Sequence, residues 1–256
     1  MKNTGRIFIT SVPGSILIGA VIVSLAILIS GGVIKIKGVT PVSVVSAPAA
    51  PQAVVPNQQA PAVQPAKTEI ALGHLPSKGS SSATVAVVEF GDLRCPFCDQ
   101  FFKESEPQLI SDYVNTGKVK FVFRQFEFLG PSSTTAGNAA ECANEQGKFW
   151  EMHDYLYQNQ PQESDTSLYT TEKLTSIAQN LGMDPNQFSS CLSSTKYAKN
   201  VANDLAEGQS DGVSGTPTFY IGKLDSTGTK ITGAQQIVGA QPYSSIKAVI
   251  DKVLSQ

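Results

Sequence analysis

Two cysteines three residues apart, Cys95 and Cys98, enclose Pro96 and Phe97 in the run RCPFC. On a helix, side chains at i and i+3 stack with Cβ atoms about 5–6 Å apart. A disulfide between them then needs only modest adjustment. If Cys95 opens the helix, the free N–H groups and the helix dipole favour an anion there. That lowers the thiol pKa and makes Cys95 the reactive thiolate. Pro96 fits the first helical turn, where its missing N–H costs nothing. Cys98 lies deeper and is the resolving thiol. Half of a zinc knuckle is one alternative, but tetrahedral zinc needs a second close pair of ligands. Cys142 and Cys191 are far apart in sequence, and His74 and His153 show no ligand spacing. Two inert buried thiols are the other alternative. Redox exchange is the reading that uses the spacing, and it calls for no cofactor and no metal.

The elements around the pair must hold it at a strand-to-helix junction. Residues 84–90, TVAVVEF, form a β-branched apolar run, the pattern of a strand buried on both faces. Gly91 and Asp92 end it. Residues 97–115 show helical spacing of Phe101, Phe102, Leu109, Ile110 and Tyr113, with a break near Pro107. Residues 118–123, KVKFVF, read as a second strand. Strand, helix, strand implies a parallel pair through a right-handed crossover. Period-3.6 patterns then predict helices over 134–146, 148–158, 171–181 and 185–205. Residues 218–221 and 231–238 read as a hairpin around a turn-like 222–233 stretch. Residues 241–254 form a closing amphipathic helix. The class is α/β.

The chain has 256 residues and a net charge of −2. Residues 1–67 carry five Lys or Arg and no acid, so the remainder carries 14 basic and 21 acidic side chains. So acidic a remainder makes a poor nucleic-acid binder, because phosphate contacts need clustered Lys and Arg. Between Arg6 and Lys35 stand 28 uncharged residues. About 20 apolar residues span a bilayer, so residues 1–37 read as an uncleaved transmembrane anchor. A cleaved export signal is the alternative. Positive-inside counting favours a cytoplasmic N-terminus by a narrow margin. Residues 38–82 hold seven of the 15 prolines and read as a stalk, with 70–75 a candidate first docked element. The folded domain is placed at 83–256.

The stretches VVEFGDLRCPFC, ECANEQGKFWEMHDYL, GVSGTPTFYIG and IVGAQPY cover about residues 70–256. Together they resemble the DsbA-type thiol–disulfide oxidoreductases of the thioredoxin superfamily, in the branch with CPFC and a downstream GTPTF. The resemblance implies a thioredoxin fold, a central mixed sheet with a helical insertion at about 132–208. It implies a cis Thr216-Pro217 bond facing the cysteines, where trans is the ordinary expectation. The Pro217 backbone could then pair with an extended substrate segment, beside Pro96 and Phe97. It also implies that Glu89, six residues before Cys95, serves the buried Cys98 as proton acceptor. The alternative is an edge-strand glutamate facing water. Cys142 and Cys191 read as a structural disulfide clipping two inserted helices, as in some relatives, or else as two buried thiols. A bond would argue for an oxidising compartment.

The function so implied is a single-pass, membrane-anchored, extracytoplasmic enzyme that oxidises cysteine-containing exported proteins. A membrane partner of DsbB or VKOR type would re-oxidise it. A reductase or isomerase of the same fold and a non-catalytic holdase are the alternatives. Phe149, Trp150 and Tyr157 read as core. His153 reads as a surface or capping residue. Arg94 is read either as a stabiliser of the thiolate or as a solvated arginine.

Overall fold

A computed structural model describes residues 67–256. The expected anchor and most of the stalk lie outside these residues. Five strands, β1 (Glu69–Ala71), β2 (Val85–Gly91), β3 (Val119–Gln125), β4 (Thr218–Leu224) and β5 (Lys230–Val238), form one mixed sheet in the order β1-β5-β4-β2-β3. β2 (Val85–Gly91) is its centre and is buried along its whole length. It pairs in parallel with β3 (Val119–Gln125) and antiparallel with β4 (Thr218–Leu224). β4 continues into the antiparallel β5 (Lys230–Val238). The hairpin is as expected, but Gly222 and Gly233 lie in strands and the turn is tighter, closed by Asp225.

β1 (Glu69–Ala71) pairs with the outer edge of β5. Lys78 makes an isolated bridge to Phe121 of β3. The domain therefore begins near residue 69, not 83. Ile70 anchors the segment because it is fully buried, as expected of a first docked element at 70–75.

α1 (Pro96–Glu104) follows β2 and ends at Ser105; α2 (Glu106–Leu109) runs on into a π-helical turn, Ile110–Val114. Pro107 sits in the first turn of α2, so the break falls just before it, where its missing N–H is harmless. The helical block comprises α3 (Pro131–Asn144), α4 (Phe149–Gln158), α5 (Thr171–Asn180), α6 (Pro185–Ser193) and α7 (Ala198–Ser210). The single helix expected over 185–205 is two helices. Ser194 Oγ donates to the Cys191 carbonyl, competing with the helical ladder. Thr195 then turns into the left-handed region at φ 51°. α8 (Tyr243–Leu254) closes the chain against the sheet.

Side chains of β2 alternate between two cores. Val85 and Val87 face Phe101, Phe121, Phe219 and Ile250. Ala86, Val88 and Phe90 face Val122 and Tyr220 on the other side. A further cluster joins the inserted helices to Cys95, Cys98 and Phe123. α7 is pinned by the fully buried Arg124, which reaches Asp204 Oδ1 at 2.7 Å, Glu207 Oε2 at 2.7 Å and the Ala71 carbonyl at 2.9 Å. α3 comes so close to β3 at Gly137 that a Cβ there would stand 2.2 Å from Gln125 Oε1.

Candidate active site

Cys95 is the residue that caps α1, and Pro96 takes the first turn. The loop leading in is held from several sides. The Cys95 N–H donates to the Asp92 carbonyl at 2.9 Å. The Asp92 carboxylate accepts from the backbone N–H groups of Arg94, Phe128 and Leu129 at 2.8–3.1 Å, and from the Ser133 hydroxyl. Tyr157 Oη donates to the Asp92 carbonyl at 3.2 Å, and Gln160 Nε2 donates to the Leu93 carbonyl at 3.2 Å. So many partners fix where the sulfur stands.

Both thiols are free, but their surroundings differ. Cys95 is held down to about 6, first by a hydrogen bond from Cys98 and further by the Thr216 hydroxyl and the N–H groups of Phe97 and Cys98. These donors outweigh the burial that opposes them. The Thr216 hydroxyl is buried with no hydrogen-bond partner, which leaves it free to serve a thiolate. In its thiol form Cys95 Sγ donates to the Thr216 carbonyl at 3.5 Å. Cys98 is fully buried, and burial pushes it well above the ordinary thiol value. One sulfur is thus a stable thiolate at neutral pH and the other is a stable thiol.

Thr216-Pro217 is cis, as the resemblance implies. It precedes β4, and the Pro217 carbonyl accepts the Gly239 N–H at 2.8 Å. Pro96 and Phe97 stand at the opening of α1, and Phe97 is 59% exposed, an apolar ring in water beside the cysteine.

Glu89 is 1% exposed, not an edge residue facing water. Its strand neighbours are Phe123 and Phe219. Burial raises its carboxyl well above the ordinary value, and the Glu106 carboxylate adds to this. Gly91 leaves it room, since a Cβ there would stand 2.5 Å from the Phe123 ring and 3.2 Å from Glu89 Oε1.

Cys142 and Cys191 are bonded to each other, joining α3 to α6. Neither is available to complete a zinc site with Cys95 and Cys98. Phe149 and Tyr157 are core residues as expected, and Trp150 packs beside them.

Two expectations fail. His153 is fully buried, because it shares the inner face of α4 with Phe149, Met152 and Tyr157. Arg94 neither contacts the thiolate nor is solvated. Its guanidinium donates to the Leu129 and Glu163 carbonyls and to Ser132 Oγ. These contacts tie the insertion to the cysteine loop.

Sequence reasoning missed Asp92 and Glu127. Glu127 is buried, and its carboxyl rises well above the usual range through burial and the nearby Asp92. Asp92 ends β2 like any turn residue, and nothing local marks Glu127. Only the fold brings the two together.

The chain's family follows from comparison with known proteins. The thioredoxin family model matches residues 73–252. The chain belongs to that family. It is 34% identical over 187 residues to the probable disulfide bond formation protein D of Bacillus cereus, covering 70% of this chain and 79% of that one. The oxidised crystal structure of BdbD from Bacillus subtilis superposes with a TM-score of 0.63 at 27% identity, covering 74% of this chain and all of that one. The chain also matches the Na(+)/H(+) antiporter NhaA 1 of Salinispora arenicola at 34% identity, but spans only 21% of it. The DsbA-like thioredoxin fold implied by the motifs is therefore shown. So is its class of chemistry, thiol–disulfide exchange.

Proposed function

We propose that this protein introduces disulfides into exported, cysteine-containing proteins from the outer side of a cell membrane. The observation that carries this reading is the stabilised Cys95 thiolate next to the cis Thr216-Pro217 bond. A pair whose reduced form is stabilised gives up its disulfide readily. A substrate thiolate attacks Cys95 Sγ of the oxidised pair, and Cys98 leaves as a thiolate that takes the Glu89 proton. A second substrate thiolate then attacks the substrate sulfur of the mixed disulfide, and Cys95 leaves as a thiolate. Two electrons pass from substrate to pair, and the substrate keeps the new disulfide.

The Thr216 backbone, beside the cis bond, is offered to an extended substrate segment, with Pro217, Pro96 and Phe97 at its flank. The chain fits the CPFC and GTPTF branch by its own residues. Anchoring rests on the apolar sequence between Arg6 and Lys35. Among the described residues no helix is long and apolar enough to cross a membrane. The Cys142–Cys191 bond supports an oxidising compartment. Re-oxidation falls to a membrane protein of DsbB or VKOR type.

The test is the reduction potential of the Cys95–Cys98 pair in glutathione buffers. A value between about −120 and −180 mV supports the disulfide donor. A value near about −270 mV assigns the protein to reduction instead.

A further inference from the structure

Five buried polar atoms on one side of the sheet have no hydrogen-bond partner: both Glu89 carboxyl oxygens, Glu106 Oε2, His153 Nε2 and Trp150 Nε1. They belong to one neighbourhood. Glu89 Oε1 lies over Gly91 beside the Phe123 ring. His153 sets its ring nearly perpendicular to that same ring, with centroids 4.9 Å apart. Trp150 meets His153 at 5.1 Å. Lys78 Nζ stands 4.3 Å from the centre of the Trp150 ring.

These residues are wired to the surface. Lys78 Nζ donates to Glu106 Oε1 at 3.1 Å and to Asp154 Oδ1 at 3.3 Å. Asp154 Oδ1 in turn lies 2.8 Å from His153 Nδ1. A carboxylate accepts, so Nδ1 donates in that bond and Nε2 faces the buried neighbourhood without a partner. Glu106 and His153 are buried, whereas the Asp154 side chain is 35% exposed. Lys78, Glu106 and Asp154 line an open cavity of about 350 Å³. Buried polar atoms without protein partners are commonly bridged by ordered water.

Glu89 has a problem that this circuit solves. Each turnover changes the ionisation of Cys98, and neither Glu89 oxygen reaches solvent. An ionised carboxylate left among phenylalanine rings is costly until a proton returns. We propose that Glu106, Lys78, Asp154 and His153 form the proton route between solvent and Glu89, with Glu106 as the inner exchanging group and Lys78 as the residue that positions it. The proposal rests on Glu89 being the proton partner of Cys98. When reduced protein resolves a mixed disulfide, Cys98 gives its proton to Glu89 and attacks Cys95 Sγ. The bond from Cys95 to the outer sulfur breaks, and that sulfur leaves as a thiolate. Glu89 then passes the proton outward through Glu106. The groups bearing on Glu89 are Cys95, which caps α1, Cys98 of α1, Glu106 of α2, Lys78 before β2 and Tyr157 of α4, while His153 of α4 packs on the adjacent Phe123 ring.

The experiment is stopped-flow oxidation of the full reduced chain by oxidised glutathione. The second-order limb reads attack by Cys95, and the plateau at high glutathione disulfide reads the Cys98 step. Glu106→Gln is expected to lower the plateau about tenfold, less than the hundredfold or more of an acid or base touching the reacting atom. The second-order limb stays unchanged, and added imidazole restores the plateau. Lys78→Met, at a site where the side chain is 22% exposed, is expected to act in the same direction. It keeps the test alive if Glu106→Gln does not fold. Plateaus unchanged in both variants, with Glu89→Gln slow, overturn the route and leave the role of Glu89 standing. An unaffected Glu89→Gln overturns both. A slow plateau that imidazole does not restore, accompanied by a shifted pH midpoint, means charge coupling alone and also overturns the route.

Discussion

Cys95 Sγ lies 3.5 Å from the carbonyl oxygen of Thr216, a residue 121 positions further along the chain. The Thr216 hydroxyl serves the thiolate form of the same sulfur. Alkylation of Cys95 in the reduced protein should therefore follow a single ionisation centred at about 6. Thr216→Val removes one donor and is expected to move the midpoint up toward the ordinary thiol value of about 8.5, slowing alkylation at pH 6 severalfold. A lowered pKa stabilises the reduced form above the ordinary value and loses that effect as pH falls through about 6. The reduction potential should accordingly fall by about 30 mV per pH unit above that midpoint and about twice as steeply below it.

Glu89 carries the opposite sign. Its carboxyl is raised by burial, so folding favours its protonated form. Its cost to stability is absent below the unfolded value of about 4.3 and grows as pH rises above it. Glu89→Gln is expected to match the parent in urea denaturation at pH 4 and to be more stable than it at pH 8. The same variant should exchange disulfides more slowly. A stability gap that closes as pH rises would contradict the burial account.

Phe97 stands 59% exposed at the opening of α1. A phenyl ring offers neither a hydrogen bond nor a charge to the neighbouring thiolate. Phe97→His is expected to raise the reduction potential by stabilising the reduced form, measured in glutathione buffers. An unchanged or lower potential would show that this position does not tune the pair here.

The Cys142–Cys191 bond closes a loop between α3 and α6 with a sequence separation of 49. Replacing both cysteines by alanine is expected to destabilise the domain by about 4 kcal/mol on the loop-entropy account. The check is a urea titration. The potential of Cys95–Cys98 should not change, because the two pairs lie on different elements.

The sequence by itself determined the central strand, the helix after it, the parallel crossover, the closing hairpin and the cysteine pair. Each rests on local physics: β-branched runs, helical periodicity, a proline in a first turn and a three-residue spacing. Local pattern failed where the cause was distant. The candidate docked element at 70–75 carries too few residues to show its partner, because it pairs with β5, 161 positions later at Glu69 and Lys230. Serine and threonine chemistry split one expected helix into α6 and α7. His153 reads as a surface or capping residue, yet Phe102 of α1 and Phe123 of β3 pack against its ring. The lowered Cys95, the raised Glu89, the Asp92–Glu127 pair and the Lys78 circuit exist only in the folded molecule. Ionisation depends on which groups stand within a few ångströms and on whether water reaches them, and the sequence alone specifies neither.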